Sequence, residues 1–236
     1  MASGRPCLVF LPAMLCDEDL YRSQIERLRD LVEPLLLVVA EPSMPAAAAT
    51  VLRHAPERFF LAGTSYGGSL ALEVAATAPA RVAGLWLMGC DPGPYRQTVE
   101  RGLNARVQAG EFDAVVDELA KAVVSRGGPH AIPAMATFRS MARRAGPTLL
   151  LRQNTALMER SDRRGDLSRI SCPTLLVWGR EDSFADVEHG HDMAARIPGA
   201  RLVVLDGCGH LPTLERPEEA TRAAREWLLA TLLRGG

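Results

Sequence analysis

The sequence predicts an α/β fold, doubly wound around a mostly parallel sheet of about six strands. Three observations predict it. Short apolar runs rich in Val, Leu and Phe recur along the chain, they are closed by Gly or Pro, and most are followed by a stretch with helical spacing. Buried parallel strands with crossover helices read in this way. The runs fall at residues 7–11, 35–39, 59–62, 85–89, 174–178 and 201–205, each short enough for a central strand.

Between the first two runs, residues 18–31 carry Leu20, Ile25, Leu28 and Leu31 at near-helical spacing, and 66–78 repeat the pattern with Leu70, Ala71, Val74 and Ala75. The Ala-rich stretch 45–50 opens another helix. Residues 94–165 break the alternation: they hold three or four amphipathic stretches, such as 113–125 and 132–144, and no strand. Pro129, Gly146 and Pro147 punctuate this helical insertion where helices stop and restart. Residues 217–233 form a final helix with Trp227 and Leu228 toward the core. The expected organisation is thus a core of 1–93 and 166–236 carrying a helical cap of 94–165.

At 236 residues the chain is long enough to bury one large core without metal or disulfide help. A formal net charge of −1, with arginines scattered along polar helix faces, gives nothing to recruit nucleic acid or a membrane surface. Five cysteines, with no CxxC pair, argue against a disulfide framework and a zinc site and fit a reducing cytoplasm. The N-terminal residues lack the charged and long apolar regions of a signal peptide, and no run reaches the roughly 18 apolar residues of a membrane span. No cofactor is expected.

The strongest chemical signal is Gly63-Thr64-Ser65-Tyr66-Gly67, a G-x-S-x-G motif framed by the apolar run before it and the apolar helix after it. A serine on so sharp a strand-to-helix turn is strained, and its neighbours two residues away are Gly because a Cβ would collide across the turn. Gly63 and Gly67 meet that need, and the helix behind directs its positive end at the site where an oxyanion would form.

A serine hydroxyl is a weak nucleophile, so it requires a base and a carboxylate that orients the base. On an elbow of this kind both come from later strand ends, acid before base. Residues 174–178 run into Gly179-Arg180-Glu181-Asp182, and 201–205 into Asp206-Gly207-Cys208-Gly209-His210. His210 is the expected base. His189 and His191 lie in a helical stretch and His54 and His130 follow no strand, so these four read as surface or capping residues. Asp182 is the expected acid, with Glu181 and Asp186 in the same loop and Asp91 after an earlier strand as alternatives. A loop-capping role for Asp182 is the plainer alternative.

The elbow, the G-R-E-D turn, the G-x-G-H loop and the trailing L-E-R-P-E-E together resemble the α/β-hydrolase superfamily over nearly the whole chain, and within it the compact esterase and enol-lactonase-like members with a small helical cap. The resemblance implies an oxyanion hole of two backbone N–H groups, one from Tyr66 and one from Met14 in the loop after the first strand. Many relatives have His-Gly where this chain has Pro12-Ala13, so the loop conformation comes into question at Ala13, which resists dihedrals that Gly adopts. Relatives also begin with two antiparallel strands; six residues before Cys7 leave no room for them, which predicts a trimmed sheet with a new edge and either a monomer or a homodimer.

The expected activity is acyl transfer from a small-molecule ester, lactone or thioester to water. The same triad would serve an acyltransferase, a C–C bond hydrolase or an aminopeptidase, and the scaffold alone would serve a ligand-binding receptor. Met135, Phe138, Met141, Leu150, Leu157 and Met158 line a pocket or simply pack their helices. Arg139, Arg143 and Arg144 hold a substrate carboxylate or are exposed helix charges, and the second reading is preferred.

Overall fold

The computed structural model describes residues 4–94 and 97–234. Strand β1 (Cys7–Leu11) leads through α1 (Arg22–Leu28) to β2 (Glu33–Leu36), then through α2 (Met44–His54) to β3 (Phe59–Thr64) and through α3 (Tyr66–Thr77) to β4 (Val82–Met88). Three helices follow, α4 (Gln97–Gln108), α5 (Phe112–Ala122) and α6 (Ala131–Met158), before β5 (Thr174–Gly179), α7 (Val187–Arg196), β6 (Arg201–Leu205), α8 (Pro212–Glu215) and α9 (Pro217–Arg234). The six strands form one open sheet in the order β2-β1-β3-β4-β5-β6, and each adjacent pair is parallel.

Alternation along the strands divides the core in two. Leu8, Phe10, Phe60, Ala62, Trp86, Leu175 and Val177 face one cluster, shared with Leu28 of α1, Trp227 of α9 and residues of α5 and α6. Val9, Leu11, Phe59, Leu61, Leu85, Leu87, Leu176 and Trp178 face the other, shared with Met44, Leu70, Val74 and Met193 of α2, α3 and α7. Side chains of period two therefore carry apolar residues to both faces, and β3 and β5 are buried along their whole length. Trp227 and Leu228 are buried as expected, with the Trp227 ring edge-on to Phe60.

Strands β3 and β4 run over Phe59–Thr64 and Val82–Met88, a few residues beyond the runs read at 59–62 and 85–89, and three further elements differ more. The second strand lies at Glu33–Leu36 rather than 35–39, because β2 is an edge where Pro34 is tolerated, while Val38 points out at 43% exposure. Residues 18–31 are a 3-10 turn at Glu18–Leu20 capped by Asp17, followed by α1; the break comes at Tyr21, whose buried hydroxyl donates to the Leu11 carbonyl and bonds Thr64 Oγ1. Helix α6 extends far past residue 144: Gly146, at φ 76°, steps out of the helical region and Pro147 restarts the helix as its first residue, giving a kink rather than a loop. Between β4 and β5 the described residues contain helices and turns and no strand.

Candidate active site

Ser65 sits between β3 and α3 with φ 54° and ψ −114°, a conformation that costs about 1–3 kcal/mol. Its N–H donates to the Met88 carbonyl at 2.9 Å and its carbonyl accepts from Ser69 N–H at 2.9 Å, so the residue is fixed from both sides. A Cβ on Gly63 would fall on the Gly67 carbonyl, and one on Gly67 would fall on the Leu11 carbonyl of β1. The glycines are required because the elbow presses backbone on backbone. Tyr66, as first residue of α3, presents an N–H that has no partner within the helix.

The ends of β5 and β6 bring Asp182 and His210 together. His210 Nδ1 lies 2.9 and 2.8 Å from the two Asp182 oxygens, and both residues are buried. The carboxylate makes Nδ1 the protonated nitrogen and leaves Nε2 as the basic one. Asp182 Oδ1 also accepts from the N–H groups of Phe184 at 2.9 Å and Ala185 at 3.0 Å, so it caps its loop and orients the imidazole with the same group. The Phe184 ring packs on His210 with centroids 4.9 Å apart.

The loop of His210 is itself held by Glu215, which the sequence reading left unassigned. Its carboxylate accepts from Ser125 N–H at 2.7 Å, Gly209 N–H at 2.9 Å and Leu211 N–H at 3.2 Å, and His210 N–H donates to the Val123 carbonyl at 2.9 Å. Burial pushes the Glu215 carboxyl up, against the pull of those three N–H groups. The segment after α5 is thereby tied to His210 and its loop.

Ser65, Asp182 and His210 line one cavity of about 540 Å³. Leu103, Leu119, Val123, Phe138 and Leu157 form an apolar wall, and Ser69, Asp91, Arg160 and His189 a polar one. Cys90 also borders it, with its thiol pushed up to about 12 by burial, so it offers no competing nucleophile at neutral pH. Of the six apolar insertion residues named from the sequence, Phe138 and Leu157 reach the cavity, whereas Met141 and Leu150 are fully buried in packing. Arg139 and Arg143 pair with Asp117 and Asp113, and Arg144 with Asp17 and Asp19, all on the surface.

The alternative acids are otherwise engaged: Glu181 accepts from Cys208 N–H, Asp186 caps α7, and Asp91 accepts from Gly93 N–H beside Arg160. His54 and His130 bond the carbonyls of Thr50 and Glu215, and His191 is exposed. His189 bonds the Asp186 carbonyl at the start of α7 through Nδ1 and also borders the cavity, with Nε2 3.7 Å from Asp91.

After β1, Ala13–Cys16 forms a turn closed by Cys16 N–H to the Ala13 carbonyl at 3.0 Å, and Ala13 and Met14 border the cavity. The left-handed residue is Leu15, at φ 65°, not Ala13, so the conformational difficulty raised by Pro12-Ala13 is moved two residues along. Leu15 N–H donates to Gln153 Oε1 at 3.0 Å. Nothing in the sequence reading pointed to Gln153; the available signal is the pair of amides, Gln153 and Asn154, inside an apolar stretch of helix.

Among the described residues no group of His, Cys, Asp and Glu side chains is placed to hold a metal ion, and no helix is long and apolar enough to cross a membrane. The profile of the "Alpha/beta hydrolase family" matches residues 12–224. A pimeloyl-[acyl-carrier protein] methyl ester esterase of Nitrosomonas europaea is 29% identical over 189 residues, covering 70% of this chain and 69% of its own. A thermophilic esterase of Thermogutta terrifontis, solved with malate bound, superposes with a TM-score of 0.86 at 25% identity, covering 97% of this chain and 91% of its own. The enol-lactonase of Burkholderia xenovorans superposes at 0.87 with 19% identity, covering 96% and 92%, a likeness of fold.

Proposed function

This chain belongs to the alpha/beta hydrolase family and is a carboxylic ester hydrolase, and we propose that it cleaves small esters, or lactones and thioesters of similar size, through an acyl-enzyme on Ser65. The observation that carries the reading is the meeting of a strained serine with a buried Asp182–His210 pair in one cavity. His210 Nε2 takes the hydroxyl proton as Ser65 Oγ attacks the carbonyl carbon. The tetrahedral oxyanion is held by the N–H groups of Tyr66 and Met14, and Asp182 stabilises the imidazolium. His210 then gives the proton to the departing alcohol. Water, deprotonated by the same nitrogen, releases the acid and restores Ser65.

The apolar wall suits an acyl chain of a few carbons, and the methyl ester acted on by the Nitrosomonas relative supports a small alcohol. Helices α4–α6 supply Leu103, Leu119, Phe138 and Leu157 to that wall and in this reading are the cap of residues 94–165 on the core of 1–93 and 166–236. Each group named comes from one chain. The unpaired cysteines support a reducing cytoplasm.

Labelling by a fluorophosphonate probe and hydrolysis of p-nitrophenyl esters of increasing acyl length test the reading together. Wild type is expected to label and turn over short esters, and Ser65→Ala to lose labelling and on the order of 10⁶-fold in kcat. Equal behaviour of the two proteins would remove Ser65 from the mechanism.

A further inference from the structure

We propose that Gln153 is a positioning residue for the oxyanion site, a clamp that holds the turn after β1 in its active shape. The inference rests on Ser65 as the nucleophile. In the turn Ala13–Cys16, Leu15 occupies the third position with φ 65°, where Gly is the usual residue. Something outside the turn must keep a leucine there. Its side chain is fully buried, and its N–H is bound by Gln153 Oε1 at 3.0 Å.

That bond also decides which donors the cavity receives. Pro12 has no N–H, the Leu15 N–H goes to Gln153, and the Cys16 N–H goes to the Ala13 carbonyl. The N–H groups left in the turn are those of Ala13 and Met14, both on residues that border the cavity. Rotation of the Met14–Leu15 peptide would break the Gln153 bond and change the shape of the turn, so that bond opposes it.

The clamp is rigid because its other end is also engaged. Gln153 Nε2 donates to the Val39 carbonyl at 3.0 Å, and the side chain is 2% exposed. On the other side of the Gly146 kink, Met141 Sδ accepts from Asp17 N–H and Arg144 pairs with Asp17. Helix α6 thus grips the chain after β1 on both sides of its bend. Gln153 does not border the cavity, so it acts through the turn and not on substrate.

Gln153→Met keeps the length of the side chain and removes both bonds. It is expected to lower kcat on the order of 10- to 100-fold with KM within about 3-fold, and to weaken a trifluoromethyl ketone analogue in parallel, since only the oxyanion loses a donor. Gln153→Glu gives a second, independent reading. A protonated carboxyl accepts from Leu15 N–H and donates to the Val39 carbonyl as the amide does; the ionised form cannot donate. Both forms accept from Leu15 N–H, so Gln153→Glu is expected to keep kcat within about 5-fold of wild type, well above Gln153→Met.

Wild-type kcat and analogue affinity in Gln153→Met, beside an inactive Ser65→Ala, would overturn the clamp alone. A Gln153→Glu kcat lowered about 10- to 100-fold despite the retained acceptor would overturn it as well, and decides the matter if the Met variant does not fold. Wild-type turnover by Ser65→Ala would overturn the underlying reading and the clamp with it.

Discussion

Among the described residues two that are not glycine have positive φ, Ser65 and Leu15, and both stand at the same cavity edge of the sheet. They are built in opposite ways. Ser65 is strained by its own neighbourhood: Gly63 and Gly67 let the elbow close, and backbone bonds to Met88 and Ser69 fix it. Leu15 is held by a side chain 138 residues away and by its own burial. Strain written into adjacent residues leaves a motif, whereas strain imposed across the fold leaves none.

The largest expected effect breaks the local half of this comparison. Gly67→Ala would put a Cβ on the Leu11 carbonyl, with backbone on both sides and no flexible group to yield. A loss above about 4 kcal/mol is expected, seen as little soluble protein or an early urea midpoint, and wild-type stability would refute the close contact. A pair of glycine substitutions sharpens the comparison. Ser65→Gly relieves strain at a half-buried position and is expected to gain about 1 kcal/mol. Leu15→Gly relieves the same strain but empties a buried site, with a net loss of about 2 kcal/mol. Denaturation midpoints moving in the same direction would show that the two strains are alike in origin.

The smallest effect concerns Glu215, which joins near N–H groups of Gly209 and Leu211 to the distant one of Ser125. Burial raises its carboxyl above the ordinary value of 4.5, so the folded chain holds that proton more tightly than the unfolded chain. The unfolded state then binds fewer protons above pH 4.5, and this contribution to stability declines as pH rises through the folded value. Glu215→Gln should remove the decline, so that wild type loses stability relative to the variant across that window. Parallel curves of unfolding free energy against pH would exclude it.

The parts of the fold legible in the sequence are those whose cause lies nearby. Strands β1 and β6 are apolar runs ended by Pro12 and Asp206-Gly207, and their limits agree with the reading to the residue. The run 35–39 misled because hydrophobicity marks burial and not register: pairing with β1 begins at Glu33, and Val38 leaves the sheet. Asp182 and His210 could be chosen because each follows a strand. Gln153 could not, because its partners are a turn and a loop joined to it only in three dimensions. Pro147 after Gly146 correctly marked a break, but a helix that restarts at once is a kink, and that distinction depends on the packing of α6 against the rest.

The strand order carries a consequence for how the molecule is made. As the chain emerges, β2 can join β1, β3 can take the other edge of β1, and β4, β5 and β6 can each add to the strand laid down before it. No later strand has to be inserted between two earlier ones, so vectorial synthesis and sheet growth proceed in step. Ser65 is shaped within the first part of that process, while Gln153 on α6 follows later and His210 after β6 later still. A growing chain therefore carries the elbow for most of its synthesis before the Asp182–His210 pair is made beside it.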